Sequence, residues 1–462
     1  METGRRKEED ALGVVFVPEE AYYGAQTQRA VENFPVSGLK FPPVFIRCLG
    51  LIKKHAAAVN GELGLLDTRL AQAIVSAAHE VAEGGYVDQF VLDVFQTGSG
   101  TSTNMNANEV IAGRANEILT GKRGGKFPVH PNDHVNLGQS SNDVIPSTIH
   151  ISAVLGIRDD LLPGLEALRH VLVEKSREFS GVVKIGRTHL QDAVPISLGR
   201  EFGAYGTQIQ EGMRRLKRTL GGLSSLALGG TAVGNGLNTH PSFAQGVIRL
   251  LSRETEWDFR EAEDHFQAQA SMDAVVEASG ALRSVAVSLS KIANDIRWLA
   301  SGPRCGLGEI EIPSLQPGSS IMPGKVNPVI PEVILQVSAQ VMGNDLSIAL
   351  GGQGGIFELN TMMPLMAYNL LQSIQLIASG ARLFATKCVE GITANEERCR
   401  SLIEGSLALS TYLVPLLGYD GAASIAEEAH RTGRTIRQVL LSRGIMGEDA
   451  IDALFQQIYS EG

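Results

Sequence analysis

Between about residues 141 and 395 the chain places apolar side chains at alternating steps of three and four, the spacing that lines one face of an α-helix. Leu282, Val285, Leu289, Ile292, Ile296 and Leu299 step 3, 4, 3, 4, 3. The same rhythm joins Leu161, Leu165, Leu168 and Leu172; Tyr205, Ile209, Met213, Leu216 and Leu220; and Leu370, Ile374, Ile377, Ala381 and Phe384. Several long helices, each with one seam and with small residues such as Ala281, Ala286 and Ala293 near it, predict antiparallel packing into a bundle. Stripes this long suggest that the packing continues across subunits of a homo-oligomer.

Outside that region the pattern breaks. GVVFVP (13–18) reads as a short strand, and NFPVSGLKFPP and LTGKRGGKFPVHPND as turn-rich segments. The expected organisation is mainly α in three units: a mixed amino-terminal unit over 1–140, the bundle over 141–395, and a small helical unit over 396–462. Asn395 or Thr393 in GITANEERCR is placed to cap the first helix of that last unit.

Composition narrows the function. Of 462 residues, 44% are hydrophobic and 19% charged, which describes an ordered protein rather than a disordered tail. With 40 Lys+Arg against 50 Asp+Glu the net charge is -10, arguing against nucleic acid or an anionic membrane as partner. Cys48, Cys305, Cys388 and Cys399 form no CxxC pair and read as reduced, buried thiols. No run approaches about 18 uninterrupted apolar residues, and METGRRKEED lacks a secretory apolar stretch, so a cytoplasmic location is expected.

Five polar segments interrupt the apolar pattern. TGSGTSTNMNANE (97–109) offers hydroxyls, amides and backbone N–H groups to an anion, or else a Ser/Thr-rich helix cap, and it lacks the third glycine of a dinucleotide fingerprint. VHPNDHVN spaces His130 and His134 by four, but Pro131 and the Asn132-Asp133 pair favour a turn, and no third metal ligand is evident. QSSND brings Ser140, Ser141 and Asn142 to the start of a helix, as donors or as caps. GRTHLQDAVP holds Thr188 and His189 between a basic and an acidic residue. GSSIMPGKVNPVIPE carries Ser319, Ser320, Met322, Lys325 and Asn327 on a Pro/Gly-rich loop, with Pro331 at the expected first position of a helix. It is not a Walker loop, because five residues separate its glycines and Val326 follows the lysine. Neutral donors, one imidazole and one lysine, with no metal or cofactor motif, suit acid/base chemistry on a small oxygen-rich anion.

These segments closely resemble the fumarase/aspartase superfamily, whose signature loop is similar to GSSIMPGKVNP. The likeness runs from AYYGAQTQRAVENF through TGSGTSTNMN, HPNDHVN, QSSND, GRTHLQDA, LALGGTAVGNGLNTH and WLASGPRCGLGEI to FELN, and is strongest to the class II fumarate hydratase branch. The resemblance implies a mainly α chain whose central helices form a twenty-helix core in a homotetramer, with each active site shared by three subunits. It implies reversible hydration of fumarate to (S)-malate, as in the tricarboxylic acid cycle, without metal or cofactor. Ser319 then matches the base, His189 the second acid/base group, and Glu332 the residue that orients the imidazole. Ser99, Gly100, Thr101, Ser140, Ser141, Asn142, Thr188, Ser320, Lys325, Val326 and Asn327 match substrate-holding positions. A serine hydroxyl is a weak base unless its alkoxide is stabilised, so loop N–H groups and Lys325 are expected to lower its pKa. His130, Pro131, Asn132 and Asp133 match a secondary dicarboxylate site, although Phe127 stands where members can carry an arginine, with Lys126 as a partial substitute. Aspartate ammonia-lyase shares scaffold and loop and is the alternative activity; Ser99 and Ser141 are similar to the hydratases.

Overall fold

The four stripes fold as helices with their seams inward: every residue named in them above is buried. The structure, a computed structural model, describes residues 4–461 and is 63% helical, a mainly α chain. A hairpin of β1 (Arg5–Asp10) and β2 (Gly13–Pro18) is followed by helices α1 (Ala25–Asn33), α2 (Pro43–Glu62), α3 (Thr68–Ala82), α4 (Thr101–Thr120) and α5 (Ser141–Leu155). Helix α6 (Leu162–Glu178) leads into a second hairpin, β3 (Val183–Thr188) and β4 (Gln191–Ser197), and then α7 (Leu198–Leu223). Helices α8 (Phe243–Thr255), α9 (His265–Ala270), α10 (Asp273–Leu299), α11 (Val329–Gly352) and α12 (Met363–Lys387) complete the long-helix region. Four shorter helices close the chain: α13 (Glu396–Gly405), α14 (Val414–Thr432), α15 (Ile436–Ser442) and α16 (Glu448–Glu461).

The chain divides into two units, neither continuous in sequence. One comprises 1–162, 214–284 and 339–377, the other 163–213, 285–338 and 378–462. Each of the helices α7, α10, α11 and α12 begins in one unit and ends in the other.

In the first unit α2 packs against α3, α5 and α8, and α4 against α3 and α5. Glu109 on α4 caps α1, accepting N–H bonds from Gly24 (2.9 Å), Gln26 (2.9 Å) and Thr27 (3.0 Å) and the Thr27 hydroxyl (2.6 Å). Those donors are the orphan N–H groups of a helix start, so one buried carboxylate fixes α1 to α4. In the second unit a core of Ile403, Ile425, Val439, Ile451 and Phe455 from the last four helices, with Leu413 just before α14, includes Val183 and Ile185 of β3.

Three local readings change. Residues 183–197 form a bulged antiparallel hairpin where the sequence showed only a polar interruption. Its strands alternate weakly because the β3 residues 183–186 are all buried. Helix α11 starts at Val329, which puts Pro331 third rather than first, still among the N–H groups a helix leaves free. Cys305 is exposed, unlike the buried Cys48, Cys388 and Cys399. Asn395 is the cap of α13, accepting from Arg398 N–H.

Candidate active site

The hydroxyl-rich segments of the first unit sit at two helix starts held side by side. Gly100 precedes α4 at φ 73, a left-handed conformation that glycine adopts without strain. A Cβ there would lie 2.9 Å from Ile145 of α5, so the glycine also sets how closely the two helix starts approach. Gly98 is tighter still, because a Cβ would lie 1.9 Å from the Thr361 carbonyl oxygen. Thr101 opens α4, and its hydroxyl is 2.7 Å from that of the buried Ser99. Across from them Ser140 caps α5: its Oγ accepts from Asn142 N–H (3.2 Å), while Asp143 Oδ1 accepts from Ser140 N–H (3.0 Å). The buried Asp143 also accepts N–H bonds from Gly229 and Thr231, both 3.0 Å, which ties the 227–232 turn to α5. Burial alone pushes this carboxyl upward, and the three N–H bonds oppose it. Asn142 Nδ2 donates to Ala232 O at 2.8 Å, and Ser141 Oγ accepts from Asn104 Nδ2 at 3.0 Å. Ser140 and Asn142 thus carry structural bonds as well as being candidate ligand donors.

The HPND turn is a short π-helix, Pro131–Val135, capped by His130. His130 Nδ1 accepts from the N–H groups of Asn132 (3.2 Å) and Asp133 (3.1 Å), and His134 Nδ1 accepts from His130 N–H (2.9 Å). Both Nδ1 lone pairs are therefore engaged within the turn. Burial lowers the His130 pKa, favouring the neutral ring. Phe127 beside it is exposed. Among the described residues no group of three or more His, Cys, Asp and Glu side chains is arranged to hold a metal ion.

In the second unit Thr188 and His189 lie at the exposed tip of the β3–β4 hairpin. The two-residue turn has His189 at φ 57 and Leu190 at φ 60, the primed geometry that matches strand twist but is normally supplied by Asn and Gly. Each costs roughly 1–2 kcal/mol for a residue with a Cβ, so the surrounding structure must hold the tip in place. That hold lies just behind it. Arg187 pairs in two-pronged fashion with the fully buried Glu309 (2.8 and 3.1 Å), and the buried Lys184 sits 3.6 Å from Glu309 and 3.4 Å from Glu201. Ser406 Oγ donates to Asp192 Oδ2 at 3.1 Å on the other strand.

The signature loop folds back on itself. Gly318 N–H donates to Lys325 O (2.8 Å) and Asn327 Nδ2 donates to Gly318 O (2.7 Å), closing the ring of residues 318–327. Inside it Ser319 Oγ accepts from the N–H groups of Ile321 (3.2 Å) and Met322 (3.0 Å). Donors aimed at a hydroxyl oxygen favour its deprotonated form. Those two N–H bonds are present, whereas no bond from the exposed Lys325 to Ser319 forms within the single chain among the described residues. Nor does Glu332, in the first turn of α11, pair with His189 there. Ser320 and Val326 are exposed, as is Ile321.

The sequence reading overlooked Arg187, Glu309, Asn104, Asp143 and Lys53. Two of these had a signal: Asp143 completes a Ser-x-x-Asp capping box, and Lys53 interrupts the otherwise apolar stripe of Leu49, Ile52 and Ala56.

With this geometry in view, two family models match the chain, one described as lyase over residues 13–343 and one as fumarase C C-terminus over residues 409–457. The fold is that of the lyase family. Class II fumarate hydratases of Nitrosomonas europaea and Halobacterium salinarum are each 54% identical to the chain, covering 97% of it and 97% and 96% of their own lengths. The crystal structure of the class II fumarase from Schistosoma mansoni matches with a TM-score of 0.94 at 40% identity, over 97% of this chain and 98% of that one. The chain belongs to the class II fumarate hydratase family of the fumarase/aspartase superfamily.

Proposed function

We propose that the protein is a hydro-lyase that interconverts fumarate and (S)-malate, with Ser319 as the base. One observation carries the assignment of Ser319: its Oγ already accepts two backbone N–H bonds inside a ring closed by Gly318 and Asn327. In the malate direction Ser319 removes the proton from the carbon next to one carboxylate, the electron pair passes into that carboxylate, and the doubly charged aci-carboxylate forms. His189, through a water, gives a proton to the departing hydroxide, and the double bond forms. Stabilising the extra charge is the demanding step. Lys325, Val326 and Asn327 with Ser320 hold one carboxylate, and Ser99, Gly100, Thr101, Ser140, Ser141, Asn142 and Thr188 hold the remainder of the substrate.

The site is completed by three subunits of a homotetramer. The exposed Leu346 and Leu350 on α11 and Val287 and Trp298 on α10, apolar surface suited to a partner, support that reading. The three-unit division at 140 and 395, the cytoplasmic location, the place in the tricarboxylic acid cycle and metal-independent catalysis belong to the same proposal. His130, Pro131, Asn132 and Asp133 form its secondary dicarboxylate site, with Lys126 in place of an arginine.

The aspartate ammonia-lyase alternative is not favoured, since the near-full-length relatives reported above are fumarate hydratases. The test is an absorbance assay on purified protein without ammonia. Fumarate absorbance falls as malate forms, and Ser319→Ala lowers kcat by about 10²–10⁴-fold, the usual worth of an acid/base group. Strict dependence on ammonium with aspartate as product overturns the activity; unchanged turnover in Ser319→Ala overturns the role.

A further inference from the structure

Lys53 is a fully buried lysine on α2, with the fully buried Leu49, Ile52 and Ala56 around it in sequence. Burying an ammonium is costly without strong compensation. Among the described residues no carboxylate pairs with it directly. Its Nζ donates instead to two neutral amides, Asn136 Oδ1 and Gln139 Oε1, both at 2.9 Å. Burial pushes its pKa down to about 7, with Asp143 opposing, and the amine keeps enough N–H groups for both bonds in either protonation state.

The bonds lead toward the candidate site. Asn136 Oδ1 also accepts from Asn104 Nδ2 (3.2 Å) and Asn108 Nδ2 (3.1 Å), and Asn136 Nδ2 donates to Gln139 O (3.1 Å). The orientation of the Asn136 amide is thereby fixed with its oxygen toward α2 and α4. Asn104 in turn donates from the same Nδ2 to Ser141 Oγ at 3.0 Å. A hydroxyl whose oxygen already accepts a bond has its own proton free, and donates it more strongly because the two bonds polarise one another.

We propose that Lys53 is a positioning residue for substrate carboxylate binding: through Asn136 and Asn104 it holds Ser141 with its oxygen occupied and its proton committed to the ligand. The inference rests on the reading that Ser141 holds a dicarboxylate. It accounts for a lysine where a methionine would pack at lower cost, and it assigns α2, which supplies none of the candidate site residues, a part in recognition.

The test is a double-mutant cycle on the full-length enzyme. Lys53→Met is expected to raise KM for fumarate and malate about 10-fold, the worth of one weakened hydrogen bond, with kcat within about twofold. Ser141→Ala gives a similar rise. The double variant is no worse than Ser141→Ala alone, because without the hydroxyl there is nothing left for Lys53 to position. A general packing defect would instead add to the Ser141→Ala effect. Asn104→Ala, the middle link, is run through the same cycle so that poor folding of the lysine variant does not decide the matter. Calorimetric binding of a saturated four-carbon dicarboxylate is followed in parallel and should weaken by the same factor. Unchanged KM in both single-link variants, or additivity in both cycles, overturns the inference while leaving the hydratase reading intact. A parent enzyme that neither binds nor turns over four-carbon dicarboxylates overturns both.

Discussion

Replacing Glu309 by alanine tests whether the buried charge cluster behind the His189 turn is what holds that turn. Glu309 is fully buried and engages both Arg187 nitrogens at 2.8 and 3.1 Å, with Lys184, itself buried, at 3.6 Å. Its removal takes the carboxylate from both cations and leaves Glu201, 3.4 Å from Lys184, as that lysine's ion-pair partner among the described residues. Stripping one partner from a buried ion pair costs about 3–5 kcal/mol, because the remaining charge has no water to return to. A urea midpoint followed by circular dichroism should therefore fall substantially in Glu309→Ala, with less loss in Glu309→Gln, which keeps the shape and one acceptor. Arg187 directly precedes Thr188 and His189, so kcat/KM should fall as well. The informative control removes the whole charged set, Lys184→Met, Arg187→Met and Glu309→Leu together. Apolar replacement of a complete buried cluster is often neutral or stabilising, so stability should largely return while activity does not. If Glu309→Ala lies within about 1 kcal/mol of the parent and retains its kcat/KM, the turn is held by something else and the argument fails.

Three further outcomes follow from the geometry. Gly98→Ala puts a methyl 1.9 Å from the Thr361 carbonyl oxygen; forced overpacking of this kind costs about 1–3 kcal/mol, and a lower Tm with a raised KM is expected because Ser99 and Thr101 are displaced. Burial holds the His150 pKa below its ordinary value, with the ring bonded to Ser225 O at 2.8 Å. The unfolded chain then binds a proton more readily than the fold does, so stability should drop as pH falls below about 6.5 toward the lower folded value, and thermal melts of His150→Gln should show a flatter acid limb. His189→Asn should lower kcat by about 10²-fold or more while sparing Tm, since the side chain is exposed and Asn tolerates the positive φ; a large loss of Tm would make the imidazole structural.

The seams were legible because they obey one rule over long distances: each of the stripes of three- and four-residue steps is buried. The strand at 13–18 was legible for a different reason, being a short apolar run bounded by Gly and Pro. The β3–β4 hairpin was not. Its polar tip carries His189 and Leu190 where a Gly or Asn would have announced a turn, and the strand before it is buried on both faces. The site segments stood out by composition, yet composition did not separate ligand donors from caps, and Ser140 shows why: its hydroxyl terminates a helix that also presents Ser141 and Asn142. The partners that fix these groups, Glu309 for Arg187 and Asn136 for Asn104, lie 122 and 32 residues away in sequence. Spacing rules do not reach that far.

The interleaving of the two units bears on how the chain can be made. The first unit draws on residues up to 377 and the second on residues up to 462. At about 5–20 residues per second of synthesis, roughly the first 20–75 seconds of a ribosome's work on this message yield no finished unit. By that division neither unit can be completed while the next is still being translated, and apolar seams whose partners are encoded later, such as those of α6 and α7, stay unpaired until those partners have been made.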